Sequence, residues 1–464
     1  MKRIFVILCL IFLVIAVCSC GDAKANTEDT MTDTEKTADT ASDTNNDAEI
    51  TIGTDLQPGT DTKGDTSAPQ NKKMSFLHAD GTNIVNEDGE VVILKGTNIG
   101  GWLLQESWMC MVKGDPQYDS VGWTQMETLD ALTERFGAEK ARELLSVYRE
   151  NWITEDDFRN MAELGMNVIR LPFGYWDFMS DLDGTWLAEN PDENPGFVTF
   201  DRVLELCEKY GIYVVLDMHG CPGGQTKDHT CGSYRKCLLF DTPEYQDVME
   251  KLWLGIAERY KESPIVAGYD IMNEPTEYKM DDPRDDPRNV LYDRMIKAIR
   301  KVDPDHMLIV EAIWDIQRLP ADPAAWGWEN VVYSMHPYGW TASGFSSSLK
   351  NYFRENELNV PFYVSEFFDT DFMQMCLDNG WSFSTWTYKG VPSDNEKQPY
   401  AIYCYDFSKI DVYAQYIHTE TNDTRADVLN DSEELIREKW GKVLRTDSGI
   451  YMQSPAFNAW KSLK

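Results

Sequence analysis

Two glutamates, Glu274 and Glu366, each stand where a short apolar run gives way to polar residues. A short apolar run is typical of a buried strand in a parallel sheet. A carboxylate at the far end of such a strand lies where α/β barrels carry their chemistry. Two carboxylates facing each other across one pocket are what hydrolysis of a glycosidic bond requires. The pair is therefore a candidate catalytic site, provided that the rest of the chain builds a barrel around it.

The alternation of apolar and amphipathic segments predicts the elements that position this pair. Eight apolar, β-rich runs cover residues 92–98, 167–172, 212–219, 267–273, 306–311, 331–336, 362–366 and 381–386. Amphipathic, helix-like stretches lie between most of them, for example at 154–164, 200–210, 244–262 and 291–302. A Glu-Asp-Gly turn signal predicts a β-hairpin over residues 76–93.

This pattern predicts an α/β fold, a (β/α)8 TIM barrel whose N-terminal β-hairpin closes its bottom. A doubly wound open sheet is the alternative architecture. The first strand is not followed by a glycine-rich phosphate loop, which disfavours a nucleotide-binding fold.

Most of the predicted strands end in a polar or aromatic residue. These residues are Arg170, His219, Asn273, Glu274, His336, Tyr338, Glu366 and Trp386. Because barrel strands all point the same way, their final side chains converge on one face. Each has an ordinary structural explanation when taken singly, such as an arginine paired with a carboxylate. Their coincidence at one end of the barrel predicts a functional constellation instead.

The N-terminal residues predict export and a membrane anchor. Residues 4–17 are almost wholly apolar, which is typical of a signal peptide rather than of a membrane-spanning helix. The next residues resemble a bacterial lipobox. The pattern therefore predicts a lipoprotein signal peptide over residues 1–20, with Cys20 as the lipidated residue. Residues 21–73 are rich in Thr and Asp and predict a disordered acidic linker. We expect a lipoprotein held at a bacterial cell surface or outside the cell.

The net charge and the composition limit the classes of molecule that the protein is expected to bind. A net charge of −35 at pH 7 argues against nucleic acid and favours a neutral substrate. The chain has 15 tryptophans, and sugar rings stack well on aromatic faces. Four tryptophans are candidates either for such stacking or for packing in the core: Trp102, Trp176, Trp314 and Trp340. We expect a monomer that needs no cofactor.

The cysteines and acidic residues give no metal signature. Seven cysteines follow Cys20, and an exported protein is able to pair some of them, although an odd number leaves one over: Cys110, Cys207, Cys221, Cys231, Cys237, Cys376 and Cys404. A zinc site requires tighter spacing with histidine beside it. The acidic segment 281–286 is interrupted by proline and arginine, which indicates a solvated loop. No metal is expected.

The ordered set of motifs resembles glycoside hydrolase family 5, the cellulase family of clan A. The resemblance spans nearly all of residues 76–464 and rests on Arg170, His219, Asn273-Glu274-Pro275, His336-x-Tyr338, Glu366 and Trp386. Within the family, the segments 95–108, 170–176 and 216–225 are most similar to the exo-β-1,3-glucanase branch. Cys221 stands where that branch usually has alanine, and the loop after Gln225, with its two cysteines, also departs from the fungal pattern.

The resemblance implies a catalytic domain over residues 74–464 that hydrolyses β-glucan with retention, by double displacement. Glu366 would be the nucleophile and Glu274 the acid/base, with a pKa raised by burial and by the charge of Glu366. Arg170 would keep Glu366 ionised, and Tyr338 would orient it.

The remaining family residues would bind the sugar. Asn273 would contact the 2-hydroxyl, and Trp386 would form the floor under the reacting ring. His219 and His336 would bind hydroxyls or position the carboxylates. By the branch resemblance, Glu106 and Asp228 would grip hydroxyls of the terminal glucose.

Two alternatives remain open. The first is an endo-β-1,4-glucanase or β-mannanase on the same scaffold, which differs in having an open cleft rather than a pocket. The second, from another class, is a catalytically inactive surface lipoprotein that binds glycans. The presence of both glutamates with all their supporting residues favours an enzyme.

Overall fold

The computed structural model describes residues 74–463, apart from 116, 119–121, 277, 279, 281, 392–399 and 418–423. The predicted signal peptide, its lipidation site Cys20 and the linker at 21–73 lie outside the described residues. Within the described ranges, no helix combines the length and the apolar character needed to cross a bilayer.

Eight parallel strands close into a barrel, as the alternation of segments predicts. Numbered β1 to β8 in chain order, they are Lys95–Asn98, Val168–Gly174, Tyr213–Gly220, Val266–Asp270, Met307–Glu311, Val331–Met335, Phe362–Val364 and Ser382–Thr385. Each strand pairs with the next, and β8 pairs with β1 to close the ring. The closed ring excludes the open doubly wound sheet.

Helices α1 to α9 carry the chain from each barrel strand to the next, and α10 to α12 follow the barrel. In chain order the described helices are Gln125–Phe136, Ala138–Trp152, Glu155–Glu163, Pro195–Tyr210, Pro243–Tyr260, Pro287–Ile299, Pro323–Trp326, Ala342–Glu355, Asp371–Asn379, Ile410–Ala414, Glu433–Lys439 and Pro455–Ser462. The four helices predicted from the sequence are α3 to α6. The connection from β1 to β2 holds α1, α2 and α3, whereas one helix spans each later connection.

Short strands outside the barrel attach the C-terminal region. Three of them form a small sheet: Lys389–Gly390, Tyr403–Tyr405 and Tyr451–Gln453. A further pair joins the segment after β1 to the C-terminal region: Val112–Lys113 and Ala426–Asp427. The helices α10 to α12 belong to this same C-terminal region.

A β-hairpin closes the bottom of the barrel, as predicted. Its strands are Leu77–Asp80 and Asn83–Asn86. Leu77 and Ile84 share one buried apolar cluster with residues of the strands, namely Val168, Val215, Ala267, Met307, Ile309, Val332 and Tyr363. The hairpin therefore fills the end of the barrel opposite to the predicted chemistry.

The tight turn of this hairpin lies earlier than predicted, at Gly81 instead of Gly89. Gly81 has a φ of +56°, a left-handed conformation that glycine adopts without steric cost. The predicted Glu-Asp-Gly turn is also present, since the N–H of Gly89 donates to the carbonyl of Asn86 over 2.9 Å. It leads to a bridge between Val91 and Val85. Two turn signals in one short segment thus produce two successive turns.

Trp176 belongs to the core, where three glycines make room for its ring. A Cβ at Gly174, Gly220 or Gly232 would lie 2.1, 2.0 or 2.3 Å from a carbon of the indole. Trp102 is buried as well. Of the two interpretations that the sequence allows, core packing holds for both tryptophans.

Replacing Gly174 by alanine is expected to destabilise the fold by about 1–3 kcal/mol, the usual result of overpacking a filled core. The new Cβ would lie 2.1 Å from Cζ2 of Trp176, and a buried indole has little room to move. Urea unfolding followed by tryptophan fluorescence measures the change. Gly89→Asn is the control, since Gly89 lies in open space at a positive φ that asparagine tolerates. Equal stability of the Gly174→Ala protein and the parent would contradict the tight packing.

Candidate active site

The predicted strand-end residues meet at the carboxyl end of the barrel. Arg170 lies within β2 and His219 within β3, whereas the others follow strands β4, β6, β7 and β8: Asn273, Glu274, His336, Tyr338, Glu366 and Trp386. Tyr338 is partly buried, and the other residues of this set are buried. Parallel strands thus bring together side chains that are far apart in the chain, as the sequence pattern predicts.

The guanidinium of Arg170 lies at the centre of this cluster and is completely buried. Nη1 donates to Oε1 of Glu366 over 2.6 Å and to Oδ1 of Asn98 over 3.1 Å. Nε donates to Oδ2 of Asp270 over 2.8 Å. Burial opposes the charge, but Asp217, Asp270 and Glu366 outweigh it and hold the pKa of Arg170 well above its usual value. Arg170 therefore stays charged and ties several strands together.

Asn273 links Arg170 to His219. Its Oδ1 accepts from Nη2 of Arg170 over 2.9 Å, so its Nδ2 faces Nε2 of His219 at 3.1 Å. Nδ1 of His219 lies 2.6 Å from Oδ2 of Asp217. Because the amide nitrogen can only donate, Nε2 of His219 accepts and Nδ1 donates, which defines its tautomer. The ring of His219 also stacks on Trp386, with 5.6 Å between the centroids and 17° between the planes.

The two glutamates lie on either side of His336. Its Nδ1 is 2.8 Å from Oε1 of Glu274 and 3.5 Å from Oε2 of Glu366. One nitrogen of His336 and one oxygen of each carboxyl group lie within 4.8 Å of one another. Tyr338 donates its hydroxyl to Oε2 of Glu366 over 3.0 Å. Glu366 thus accepts from Tyr338 and from the cation Arg170, whereas Glu274 forms no ion pair with an arginine or lysine of the described chain.

The same three groups are spaced closely enough to bind a metal ion. Hydrogen bonds already engage both oxygens of Glu366, through Arg170 and Tyr338. Oε1 of Glu274 lies at hydrogen-bond distance from His336. This set of contacts fits acid–base chemistry better than metal binding, and we assign no metal.

Different surroundings separate the two carboxyl groups chemically. Burial raises the pKa of Glu274 to about 7, and the carboxylate of Glu106 adds to the rise. Burial also raises the pKa of Glu366, but the charge of Arg170 opposes it. A carboxyl group that retains its proton near neutral pH, beside one held by a cation, is the arrangement of an acid next to a nucleophile.

The backbone at Glu274 adopts a left-handed conformation, with a φ of +42°. This conformation is uncommon for a residue with a Cβ, and strain of this kind costs about 1–3 kcal/mol. The N–H of Glu274 donates to Oε2 of Glu311 over 3.0 Å. Glu311 is the last residue of β5, and its Oε1 lies 3.2 Å from Nε2 of His336. A buried carboxyl group thus supports the backbone of Glu274 and lies beside His336 without a hydrogen bond to it.

Glu106 lies at one end of the site and is buried. Its Oε2 accepts from Nε1 of Trp108 over 2.9 Å and lies 2.9 Å from Nε2 of His229. Burial tends to raise the pKa of Glu106, but the contact with His229 outweighs it and leaves that pKa below its usual value. Oε1 has no partner within the part of the chain that the structure describes. An ionised oxygen without a donor is suited to accept a hydrogen bond from a hydroxyl group of a ligand.

Asp228, which was predicted to grip the same ligand, does not join this cluster. Its side chain is exposed, and Oδ2 accepts from the hydroxyl of Thr226 over 3.3 Å. The next residue, His229, takes the position beside Glu106 instead. The role of Asp228 in sugar binding stays a prediction from the sequence.

Aromatic rings form a continuous row from Glu106 towards Glu366. Successive centroids are separated by 5.1, 5.6, 4.6 and 5.7 Å along Trp108, Tyr400, Phe368, Tyr338 and Trp314. Trp314 is 43% exposed and Phe368 is 39% exposed. Exposed ring faces beside a polar site suit stacking against sugars. Trp314 therefore fits the stacking role among the two that the sequence allows.

The sequence interpretation missed Asn98, Asp217, Asp270, His229 and Glu311. A signal existed for three of them, because the two aspartates interrupt apolar runs and Glu311 ends its run as Glu274 does. An asparagine at a strand end and a histidine in a loop are too common to attract notice. Their contacts become visible only in the folded chain.

Comparison with known proteins places this arrangement in a family. A profile described as Cellulase (glycosyl hydrolase family 5) matches residues 115–384, more than half of the chain. A "Beta-xylosidase" of Phanerodontia chrysosporium is 33% identical over 285 residues, which are 60% of this chain and 55% of that protein. A "Probable glucan 1,3-beta-glucosidase A" of Aspergillus fumigatus is 29% identical over 224 residues, 46% of this chain and 48% of that protein.

Other matches are of similar extent. A "Glucan 1,3-beta-glucosidase" of Pichia angusta is 31% identical over 189 residues, 39% of this chain and 40% of that protein. The chain thus spans about half the length of the curated relatives it matches. The crystal structure of a rutinosidase from Aspergillus niger is 16% identical, with a TM-score of 0.49, over 65% of this chain and 91% of that one. The matched family profile includes both glutamates and the residues from Arg170 to Tyr338. The chain belongs to glycosyl hydrolase family 5.

Proposed function

We propose that the protein is a retaining β-glycosidase that releases sugar from the end of a β-glucan, with β-1,3-linked glucose as its main substrate. The observation that carries the mechanism is the spacing of Glu274 and Glu366, whose carboxyl oxygens lie within 4.8 Å. Retaining enzymes hold the two carboxyl groups about 5–5.5 Å apart, whereas inverting enzymes need about 6.5–9.5 Å to admit a water molecule. The spacing supports a direct attack by one carboxylate.

Glycosyl transfer to the enzyme is the first step. Glu366 attacks the anomeric carbon, the bond from that carbon to the leaving oxygen breaks, and Glu274 gives its proton to that oxygen. In the second step Glu274 takes a proton from water, and the water displaces Glu366 from the sugar. Arg170 and Tyr338 keep Glu366 ionised and oriented, and the pKa of about 7 at Glu274 suits a group that gives and takes a proton.

Neighbouring groups would bind the reacting sugar. The amide of Asn273 has two N–H bonds, and one of them remains beyond the contact with His219, which suits it to the 2-hydroxyl. Trp386, stacked on His219, offers an apolar floor. Oε1 of Glu106 would accept a hydrogen bond from a hydroxyl of the terminal sugar. The mutual contacts of Glu106, Trp108 and His229 support a pocket that is closed at this end, and therefore exo action.

A β-xyloside is the second candidate substrate. The relative with 33% identity is named "Beta-xylosidase". His229 and Trp108 both engage Oε2 of Glu106, so only Oε1 is left for a sugar hydroxyl. A pocket with one acceptor at this position suits a pentose, which lacks the hydroxymethyl group of glucose. Two other functions, an endo-acting glucanase or mannanase and an inactive glycan-binding protein, are distinguished from these by product analysis and by the glutamate variants.

Export and lipidation stay predictions from the sequence. Lipid on Cys20, followed by the linker at 21–73, would tether the catalytic domain to a membrane and place it among extracellular glycans. A neutral polysaccharide is compatible with the strongly acidic chain.

Product analysis tests the substrate. Incubation with laminarin, barley β-glucan, carboxymethylcellulose and mannan, and with p-nitrophenyl β-xyloside, is followed by chromatography. We expect glucose as the only early product from laminarin. Faster release from the xyloside than from the matching glucoside would shift the assignment to the pentose. A ladder of oligosaccharides from cellulose or mannan would overturn the exo mechanism.

Alanine variants test the roles of the two glutamates. Glu366→Ala is expected to lower kcat/KM by about 10⁴-fold or more, since the covalent step is lost. With Glu366→Ala, added azide should attack the substrate in place of the missing carboxylate and yield an α-glycosyl azide. With Glu274→Ala, azide should attack the glycosyl-enzyme in place of water and yield a β-glycosyl azide. Glu355→Ala, at a side chain that is 70% exposed, serves as the control. Unchanged hydrolysis of every tested β-glycoside by Glu366→Ala would refute the mechanism.

The pH dependence tests the acid. Glu274 must carry a proton to assist a poor leaving group, so kcat/KM for a phenyl β-glycoside should be highest below pH 7 and fall as the pH rises through about 7. The 2,4-dinitrophenyl analogue leaves without protonation and should show little of this decline. Glu274→Gln should remove the alkaline limb for the phenyl substrate. Persistence of that limb in the variant would assign the acid to another group.

A further inference from the structure

The peptide bond between Asn273 and Glu274 is held at both of its polar atoms by buried side chains. Its carbonyl, on Asn273, accepts from Nε2 of Gln225 over 2.7 Å. Its N–H, on Glu274, donates to Oε2 of Glu311 over 3.0 Å. Gln225 and Glu311 are completely buried, so water does not compete for either bond. The orientation of this peptide therefore depends on two side chains that are distant in the sequence.

The amide group of Gln225 fits its position in one orientation. Nε2 also donates to the carbonyl of His219 over 2.8 Å, and Oε1 accepts from the N–H of Cys221 over 3.2 Å. Exchange of the two amide atoms would place an oxygen against two carbonyl oxygens and a nitrogen against an N–H group. All three bonds would then be lost. Gln225 thus joins the end of β3 to the segment after β4.

The chain reaches this position through a tight turn after β3. The segment 221–225 is Cys-Pro-Gly-Gly-Gln, and Gly223 and Gly224 have φ angles of +77° and +79°. Two successive left-handed glycines turn the chain back, so that the side chain of Gln225 meets the end of the strand that the chain has just left. The carbonyl of Gln225 accepts from the N–H of Thr276 over 2.9 Å, which attaches the turn to the segment after β4.

The bond from Gln225 opposes a relaxation of the backbone at Glu274. Glu274 has a φ of +42°, and rotation of the peptide before it would return this angle to the common negative range. The same rotation would turn the carbonyl of Asn273 away from Gln225 and the N–H of Glu274 away from Glu311. Because the side chain of Glu274 follows its backbone, the rotation would also displace its carboxyl group.

Asn273 itself is held by other contacts. Its N–H donates to the carbonyl of Met218 over 3.1 Å. Its side chain accepts from Arg170 over 2.9 Å and lies 3.1 Å from Nε2 of His219. The proposed contact of Asn273 with the 2-hydroxyl therefore does not depend on Gln225. Loss of the bond from Gln225 would act on the peptide that follows Asn273, and so on the acid.

We propose that Gln225 is a positioning residue for the acid/base: its buried amide holds the carbonyl of Asn273 and thereby keeps the carboxyl group of Glu274 beside the leaving oxygen. Displacement of a reacting group by about 1 Å costs on the order of 10²-fold in rate, so this bond is expected to affect catalysis. The proposal rests on the assignment of Glu274 as the acid/base in the proposed function. Gln225 has no contact with the sugar and takes no part in a covalent step.

Two substitutions at Gln225 remove the bonds that it donates. Gln225→Met keeps the length of the side chain but has no N–H. Gln225→Glu keeps an oxygen for the N–H of Cys221 and, when ionised, has no proton for either carbonyl. It replaces the methionine variant if that protein does not fold, and thermal unfolding of each variant checks this.

Gln246→Met is the matched control. Nε2 of Gln246 also donates to two backbone carbonyls, those of Leu239 and Phe240, over 3.0 and 3.2 Å. Neither Leu239 nor Phe240 belongs to the proposed catalytic or sugar-binding residues. The control therefore loses the same kind of bonds without releasing the peptide before Glu274.

The measurement is kcat/KM on phenyl and 2,4-dinitrophenyl β-glycosides of whichever sugar the parent enzyme hydrolyses. Gln225→Met should lose about 10-fold or more on the phenyl substrate, a part of what general acid catalysis contributes. On the dinitrophenyl substrate, which needs no acid, it should lose less than about 3-fold. Gln246→Met should stay within about 3-fold of the parent on both substrates.

A double variant separates positioning of the acid from general loosening of the site. If Gln225 acts through Glu274, adding Gln225→Met to Glu274→Ala should change kcat/KM on the phenyl substrate by less than about 2-fold. A further loss as large as that in the parent would mean that Gln225 acts by another route, which overturns the proposal.

The other outcomes are equally decisive. A loss below about 3-fold on the phenyl substrate, or equal losses on both substrates, would overturn the proposal. A selective loss with Gln246→Met would mean that any loosening of the fold produces the effect, and would overturn it as well. Glu274→Ala on the same two substrates is the reference: without a selective loss there, the proposed function itself fails. A selective loss at Glu274 without one at Gln225 refutes this inference alone.

Discussion

One buried positive charge organises the carboxyl end of the barrel. Arg170 is surrounded by oxygen atoms from β1, β3 and β4 and from the segments after β4 and β7. Its side chain is completely buried, so water does not solvate the charge. A buried ion without its partners is strongly unfavourable, so these strands must meet in a register that brings the carboxylates to it. The same bonds hold Glu366 and orient Asn273. The stability of this region and the geometry of its chemistry therefore depend on the same few contacts.

Much of this arrangement can be predicted from the sequence. Apolar runs bounded by polar residues predict strands, and parallel strands in a closed ring necessarily bring their ends together. Glu274 and Glu366 could thus be assigned to one face without any knowledge of the contacts between them. The runs around them also predict the strands to within a few residues. The strands and the face on which their ends lie are therefore predictable, because they follow from the repeating pattern of the chain and from the common direction of the strands.

What depends on distant contacts is not predictable in this way. His229 lies in a loop, and its contact with Glu106 depends on packing between segments that are more than one hundred residues apart in the sequence. Trp176 is indistinguishable from an exposed platform until the glycines around it are placed. Glu311 ends its apolar run as Glu274 does, and only the structure shows that its carboxyl group accepts the backbone N–H of Glu274.

The junction of β1 with β8 has a consequence for how the protein is made. Thr97 donates its hydroxyl to the carbonyl of Thr385 over 3.1 Å, across 288 positions of the chain. The ribosome therefore finishes β1 long before its second neighbour exists, and that edge stays open through most of translation. Contacts of such long range slow folding and leave partly built sheets prone to wrong pairing. Glu366 and Trp386 are also made late, so the nascent chain completes the proposed reactive centre only when the ring closes.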